Sequence, residues 1–230
     1  MVESSPSRTA LVTSLMRALH SRADPSPLLD DPWGDQLVPK SERERMSQRI
    51  LARMDSGARA RALKAPNAIL DEFLLTNAAH PGVVIRSRYA EDALREATIK
   101  GVRQYVLIGA GFDSFALRRP AFSDALEIFE IDHPATQMMK IQRIKECGIS
   151  LPQSVHFIAV DLAKEDLETV LARSERNRAL ESGGSRQQYP GTGVDLNLAV
   201  EEHLPASPTC RLNRCFDCRS GNDDSRPLLA

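Results

Sequence analysis

Arg103-Gln-Tyr-Val-Leu-Ile-Gly-Ala-Gly-Phe-Asp113 is the stretch whose reading decides the fold. Tyr105 to Ile108 are aromatic or aliphatic without polar alternation, as in a strand covered on both faces, and Gly109 and Gly111 follow at once. Glycine at such a place lets the backbone take φ values closed to other residues and approach a ligand closely. About twenty residues on, a second apolar run closes on an acid, Glu127-Ile-Phe-Glu-Ile-Asp132, where a doubly wound fold puts the carboxylate that grips a ribose.

A third run, Val155-His-Phe-Ile-Ala-Val160, ends on Asp161. Between the runs the pattern predicts a helical turn near Ser114 to Arg118 and a helix from Pro134 to Cys147, with a further helix over 164–173. Three strands with such crossovers make half of a doubly wound α/β sheet. Their ends direct Gly109 and Gly111, Asp132 and Asp161 toward one crevice, the place where open α/β sheets bind ligands. Each acid has a plainer reading as a helix cap, since Asp132 precedes Pro134 and Asp161 precedes Leu162-Ala-Lys.

About a hundred mainly helical residues precede the first strand. Leu11, Leu15, Met16 and Leu19 share one face of a helix capped by Ser7 or Thr9 and running to about His20. Three prolines make 24–33 an ordered loop; 41–63 reads as one exposed, charged helix, and 67–76 as a more apolar one ended by His80-Pro81-Gly82. The segment from Val83 leads into a last helix ended by Gly101, with Arg86 and Arg88 just ahead of it, where an arginine can grip a carboxylate or, more plainly, pair with Glu91 or Asp92. The expected organisation is a helical cap region over 1–102, a partial Rossmann-like domain over 103–173, and an irregular, poorly ordered tail over 174–230.

The 230 residues are 42% hydrophobic, enough to furnish a core. Thirty basic against 31 acidic residues give a net charge of −1, so no global field favours nucleic acid or an anionic membrane. With neither a signal peptide nor an apolar run of membrane-spanning length, the chain is expected to be cytoplasmic. Cys215-x-x-Cys218 with Cys210 and His203 is one tight ligand pair where a zinc ribbon offers two, so these are read as incidental thiols and no metal site is expected. No Ser-His-Asp order, H-E-x-x-H or P-loop occurs, which removes hydrolytic-triad, zinc-protease and kinase readings. Tyr89 and His133 are candidates for proton chemistry, with packing and capping as their plainer roles, and no catalytic residue is assigned.

Several ordered segments together resemble the leucine carboxyl methyltransferase-like family of S-adenosylmethionine-dependent O-methyltransferases. They are Ser7-Arg-Thr-Ala10, Asp31-Pro32, His80-Pro-Gly-Val-Val-Ile-Arg-Ser-Arg-Tyr-Ala-Glu-Asp92, Gln104 to Asp113, Phe129-Glu-Ile-Asp-His-Pro134 with Lys140, and Val160-Asp-Leu162. The resemblance covers about residues 7 to 173 and implies a class I methyltransferase fold behind a helical cap. It also implies that Arg88 meets the methionine carboxylate, Gly109 and Gly111 line the cofactor, Asp132 holds the ribose hydroxyls, and Asp161 with Leu162 contacts the adenine. S-adenosyl-L-methionine is then the cofactor and a small-molecule carboxylate or hydroxyl the methyl acceptor, with oligomeric state unread.

After Arg173 the family pattern stops; Gly191-Thr-Gly-Val194 is at best a trace of it. A truncated or frameshifted reading frame is the expectation. Two other readings stay open at this level. A nicotinamide-dependent oxidoreductase shares the glycine turn and Asp132 but calls for a third glycine where Ser114 stands, and a remnant without activity is the other.

Overall fold

The computed structural model describes residues 5–65 and 68–172. The expectations for 174–230, among them the cysteine-rich tail with His203 and the trace at Gly191, lie outside the described residues.

The chain begins with α1 (Arg8–Ala23), capped by Ser7, whose hydroxyl accepts the Ala10 N–H at 3.3 Å. Leu11, Leu15, Met16 and Leu19 are all buried, and so are Ser14 and Arg17, which makes α1 the central rod of the cap, packed on α2 (Trp33–Leu37), α5 (Ala68–Leu75) and α6 (His80–Ile99). The charged stretch read as one helix is two, α3 (Lys40–Ala52) and α4 (Ser56–Ala62), and neither buries a residue. Asp55 makes the break: its side chain accepts the Ala58 N–H at 2.8 Å, and an N-cap starts a new helix rather than continuing an old one.

His80-Pro81-Gly82 also differs from its sequence reading. It opens α6 instead of ending α5, because a proline in the first turn gives up an N–H that has no intrahelical partner there, and the Val83 N–H already bonds the Ala79 carbonyl at 3.0 Å. Arg86 and Arg88 therefore lie inside α6, not ahead of it. Gly101 ends this helix as expected, at φ +97° beyond Lys100.

From Gln104 the βαβ rhythm holds. The strands β1 (Gln104–Ile108), β2 (Glu127–Asp132) and β3 (Val155–Ala159) form a parallel sheet in the order β1-β2-β3, with Ile108 opposite Ile131 and Asp132 opposite Ala159. Between them lie α7 (Phe115–Arg118), a 3-10 turn (Ala121–Ser123) and α8 (Pro134–Glu146). Tyr105, Leu107 and Ile128 face one apolar cluster with Leu94 of α6 and Phe115 of α7. Val106, Ile108 and Ile131 face a second one with Ile158, Val160 and Leu167, Val170 and Leu171 of a helical segment over 167–172. Both faces are thus covered, which is why the strands carry no polar alternation. Among the described residues no helix is long and apolar enough to cross a membrane.

The cap meets the sheet at its carboxyl end. The Ser7 N–H bonds Thr136 Oγ1 in the first turn of α8 at 3.0 Å; within the cap, Gly34 of α2 lies so close to α1 that an added Cβ would stand 2.1 Å from the Ser14 carbonyl oxygen. Backbone cannot yield there as a flexible side chain would. Gly34→Ala is expected to lower the unfolding free energy by about 1–3 kcal/mol, as overpacking of a dense core does. Urea denaturation of the two proteins checks this, and an unchanged midpoint would mean that α2 moves freely away from α1.

Candidate functional site

The glycine turn leaves β1 and folds over the end of β2. Gly109 and Gly111 have φ of +69° and +54°, values that L side chains rarely adopt. The Ile131 carbonyl accepts the N–H groups of both Gly109 (2.8 Å) and Ala110 (3.1 Å), so the turn is pinned to the neighbouring strand rather than hanging from its own. The two glycines then serve different ends. A Cβ at Gly109 would meet nothing within 4 Å, and the residue is exposed, which leaves its backbone open to a ligand. At Gly111 a Cβ would stand 2.9 Å from Ala10 Cβ, so the missing side chain there makes room for α1.

Asp132 stands beside this turn. Its Oδ2 accepts the Gly111 N–H and its Oδ1 the His133 N–H at 2.6 Å, so backbone donors orient both oxygens while the residue stays half-buried. Capping of α8 falls to His133, whose Nδ1 accepts the Ala135 N–H at 3.3 Å. Asp132 is therefore free of the helix-cap role considered for it.

Asp161 takes the cap-like role instead. Its Oδ1 accepts the Ala163 N–H at 3.1 Å and its Oδ2 bonds Lys164 Nζ at 2.6 Å. The Lys164 bond holds the Asp161 carboxyl below the ordinary aspartate value. The turn it builds leaves Leu162 41% exposed, an apolar side chain beside the ends of β2 and β3. His133 Nε2 lies 4.0 Å from Asp161 Oδ2, so the second and third strand ends are neighbours in the structure.

Arg88 is engaged within the cap. Its Nε bonds Asp92 Oδ2 at 2.7 Å, one helical turn on, and its Nη1 bonds the Leu28 carbonyl at 3.0 Å. The Asp92 contact keeps the Arg88 pKa above its ordinary value and lowers that of Asp92. Glu91, next to Asp92 on α6, pairs with Arg118 of α7. Tyr89 is 74% exposed on the surface of α6.

A run of buried charge beneath the turn escaped the sequence reading. Arg17 Nε bonds Asp31 Oδ2 at 2.8 Å and Arg17 Nη2 bonds the Phe112 carbonyl at 2.8 Å; Asp31 is fully buried. Arg118 Nε lies 4.0 Å from Asp31 Oδ1 and 2.9 Å from the buried Ser114 hydroxyl. On β2, the buried Glu130 pairs with the buried Lys140 of α8 through Oε2, while Oε1 has no hydrogen-bond partner among the described residues. Burial pushes the Glu130 carboxyl up, against the pull of Lys140. Burial also acts to raise Asp113, but the charges of Arg17, Lys140 and Arg118 with the Phe115 N–H outweigh it, and its carboxyl sits below the ordinary value. The usable signal was Asp31-Pro32 and Lys140, which stand in the family-like segments, but periodicity alone reads Glu130 as one polar residue in a strand.

Chemically the strand ends offer an exposed backbone at Gly109, an oriented carboxylate at Asp132 and an apolar side chain at Leu162. A carboxylate suits a ribose diol, an open glycine backbone suits close approach by a nucleoside, and an apolar wall suits a base. No group of three or more histidine, cysteine or carboxylate side chains that could hold a metal is found among the described residues.

Residues 10–182 match the sequence model of the leucine carboxyl methyltransferase family. The chain is 31% identical over 167 residues to a Bacillus subtilis protein named "Putative S-adenosyl-L-methionine-dependent methyltransferase YktD", covering 71% of this chain and 55% of that protein. It is 29% identical over 213 residues to a Mycobacterium bovis protein named "Putative S-adenosyl-L-methionine-dependent methyltransferase", covering 91% of this chain and 57% of that protein. The chain spans about half the length of the curated relatives it matches.

The depressed Asp113 carboxyl carries a pH dependence. Its stabilising effect is present above the unfolded aspartate value of about 3.9 and is lost as pH falls through the lower folded value. Asp113→Asn is expected to be less stable by about 1–3 kcal/mol at neutral pH and to lose less stability on acidification. Denaturant titrations over a series of acidic buffers check this; parallel curves for the two proteins would refute it.

Proposed function

The chain belongs to the leucine carboxyl methyltransferase family, and we propose that its described residues form the cofactor-binding part of an S-adenosyl-L-methionine-dependent O-methyltransferase. The observation that carries the reading is the pairing of the first two strand ends: an open glycine backbone at Gly109 beside a carboxylate at Asp132 whose oxygens are already aligned by Gly111 and His133. Asp132 would accept the two ribose hydroxyls with its remaining lone pairs. Leu162, presented by the Asp161 turn, would lie against the adenine. The names of the relatives supply the same cofactor.

Arg88 would bind the methionine carboxylate by leaving its present partners. Arg88 and Asp92 are both about four-tenths exposed, and such solvent-screened surface pairs contribute little, so a bidentate carboxylate can compete for the guanidinium. Exchange of Arg88 away from the Leu28 carbonyl would also loosen the 24–31 loop from α6.

When bound, the cofactor supplies an electrophilic methyl group on its sulfonium. The protein's task is then to hold an acceptor oxygen, from a small-molecule carboxylate or hydroxyl, in line with that group and to exclude water. Such positioning needs no triad, in keeping with a site built from backbone and one oriented carboxylate.

Calorimetry on the full chain with S-adenosyl-L-methionine, and with NAD as control, tests this. Binding of the methyl donor is expected, with its Kd raised about tenfold or more in Asp132→Ala and less in Arg88→Ala, tenfold being about 1.4 kcal/mol. Heat with NAD and none with the methyl donor would reject the proposal, as would an unaltered Kd in Asp132→Ala.

A further inference from the structure

The glycine turn cannot set its own conformation. Gly109 and Gly111 both have access to many backbone states, so the shape presented to a ligand is imposed from outside. One constraint is the Ile131 carbonyl at the start of the turn. The other lies beyond Gly111, where the Phe112 carbonyl accepts Arg17 Nη2 at 2.8 Å and the Ser14 hydroxyl at 3.2 Å, both from α1. Only the dihedral angles of Gly111 and Phe112 separate that carbonyl from the Gly111 N–H, and the Phe112 side chain is itself fully buried.

Resting on the cofactor reading above, we propose that Arg17 is a positioning residue for the ribose-binding carboxylate. From α1 it fixes the turn through the Phe112 carbonyl, and the turn orients Asp132 through the Gly111 N–H. Arg17 is suited to this. Its Nε is held by the fully buried Asp31, so the guanidinium cannot swing out to water, and its second nitrogen is aimed at the carbonyl with charge behind it. Asp31 is in turn held by the Trp33 N–H at 3.2 Å and by the Ser21 hydroxyl, which accepts its N–H at 2.5 Å. Ala10 closes the other side of Gly111, which leaves the turn little room to relax toward α1. Lysine does not replace this geometry, because one ammonium on a flexible stem lacks the fixed fork that reaches Asp31 and the Phe112 carbonyl together.

The test uses Arg17→Lys and, as a milder change that keeps the buried ion pair, Ser14→Ala, each in the full chain. In the protein without cofactor, amide hydrogen exchange of residues 109–113 is expected to quicken about tenfold in Arg17→Lys and less in Ser14→Ala, with the β2 and β3 amides unchanged. Calorimetry with S-adenosyl-L-methionine is expected to show a Kd about tenfold higher in Arg17→Lys, and this loss should shrink or vanish in an Asp132→Asn background, since the residue acts through Asp132. A merely structural role would slow or speed exchange everywhere and give the same loss in both backgrounds, and either result overturns the proposal. Unaltered exchange at 109–113 in both variants also overturns it. If wild-type protein binds no methyl donor, the functional reading and the ribose role fall together, while the exchange data decide separately whether α1 sets the turn.

Discussion

A buried ion pair, Arg17 with Asp31, is what the cap and the sheet have in common. Burying such a pair is costly, and attraction between the partners repays the cost only if the remaining polar atoms are also satisfied. Here they are: the Phe112 carbonyl accepts from one guanidinium nitrogen, the other carboxylate oxygen accepts the Trp33 N–H, and Arg118 lies 4.0 Å away. Satisfying those atoms requires α1, the 24–33 segment, the glycine turn and α7 to be in place at once. One buried interaction thus makes the helical region and the strand ends a single structural decision.

The same economy holds at the strand ends. Parallel pairing of β1 and β2 places the Ile131 carbonyl where it collects two N–H groups from the turn, and Asp132 follows one residue later. Gly111 then connects the two sides: its N–H reaches the carboxylate and its missing Cβ admits α1. Carboxylate orientation and cap packing share a residue, so neither can vary without the other. Beneath them, Glu130 with Lys140 and the depressed Asp113 form a polar layer inside an otherwise apolar sandwich, where low dielectric strengthens every pairing and penalises every gap.

Much of this was legible in the chain. The three strands fall within a residue of their expected ends, and α7 and α8 lie where the spacing put them, because apolar runs bounded by glycine, proline and acid are local signals that burial reinforces. The expectation of an α/β sheet behind helices holds, as does the family. Boundaries among the helices were less legible. His80-Pro81-Gly82 carries helix-ending residues that equally serve a first turn, and the charged stretch over 41–63 has no apolar period to reveal the break at Asp55. Where two local uses of a residue are equally cheap, context chooses between them.

The chain by itself determined the strand-turn-strand unit with Asp132 at its edge, since glycine permissiveness and apolar runs act over a few residues. Only tertiary structure decided the finer points. It gave the α8 cap to His133 and left Asp132 to Gly111; it set Asp161 to a turn with Lys164; it engaged Arg88 with Asp92 and the Leu28 carbonyl; and it made Gly111 a packing glycine while Gly109 remained open. It also joined Arg17 to Phe112, 95 residues apart in the chain. Each outcome depends on which donor meets which acceptor across elements, a matter of distances that no local period encodes.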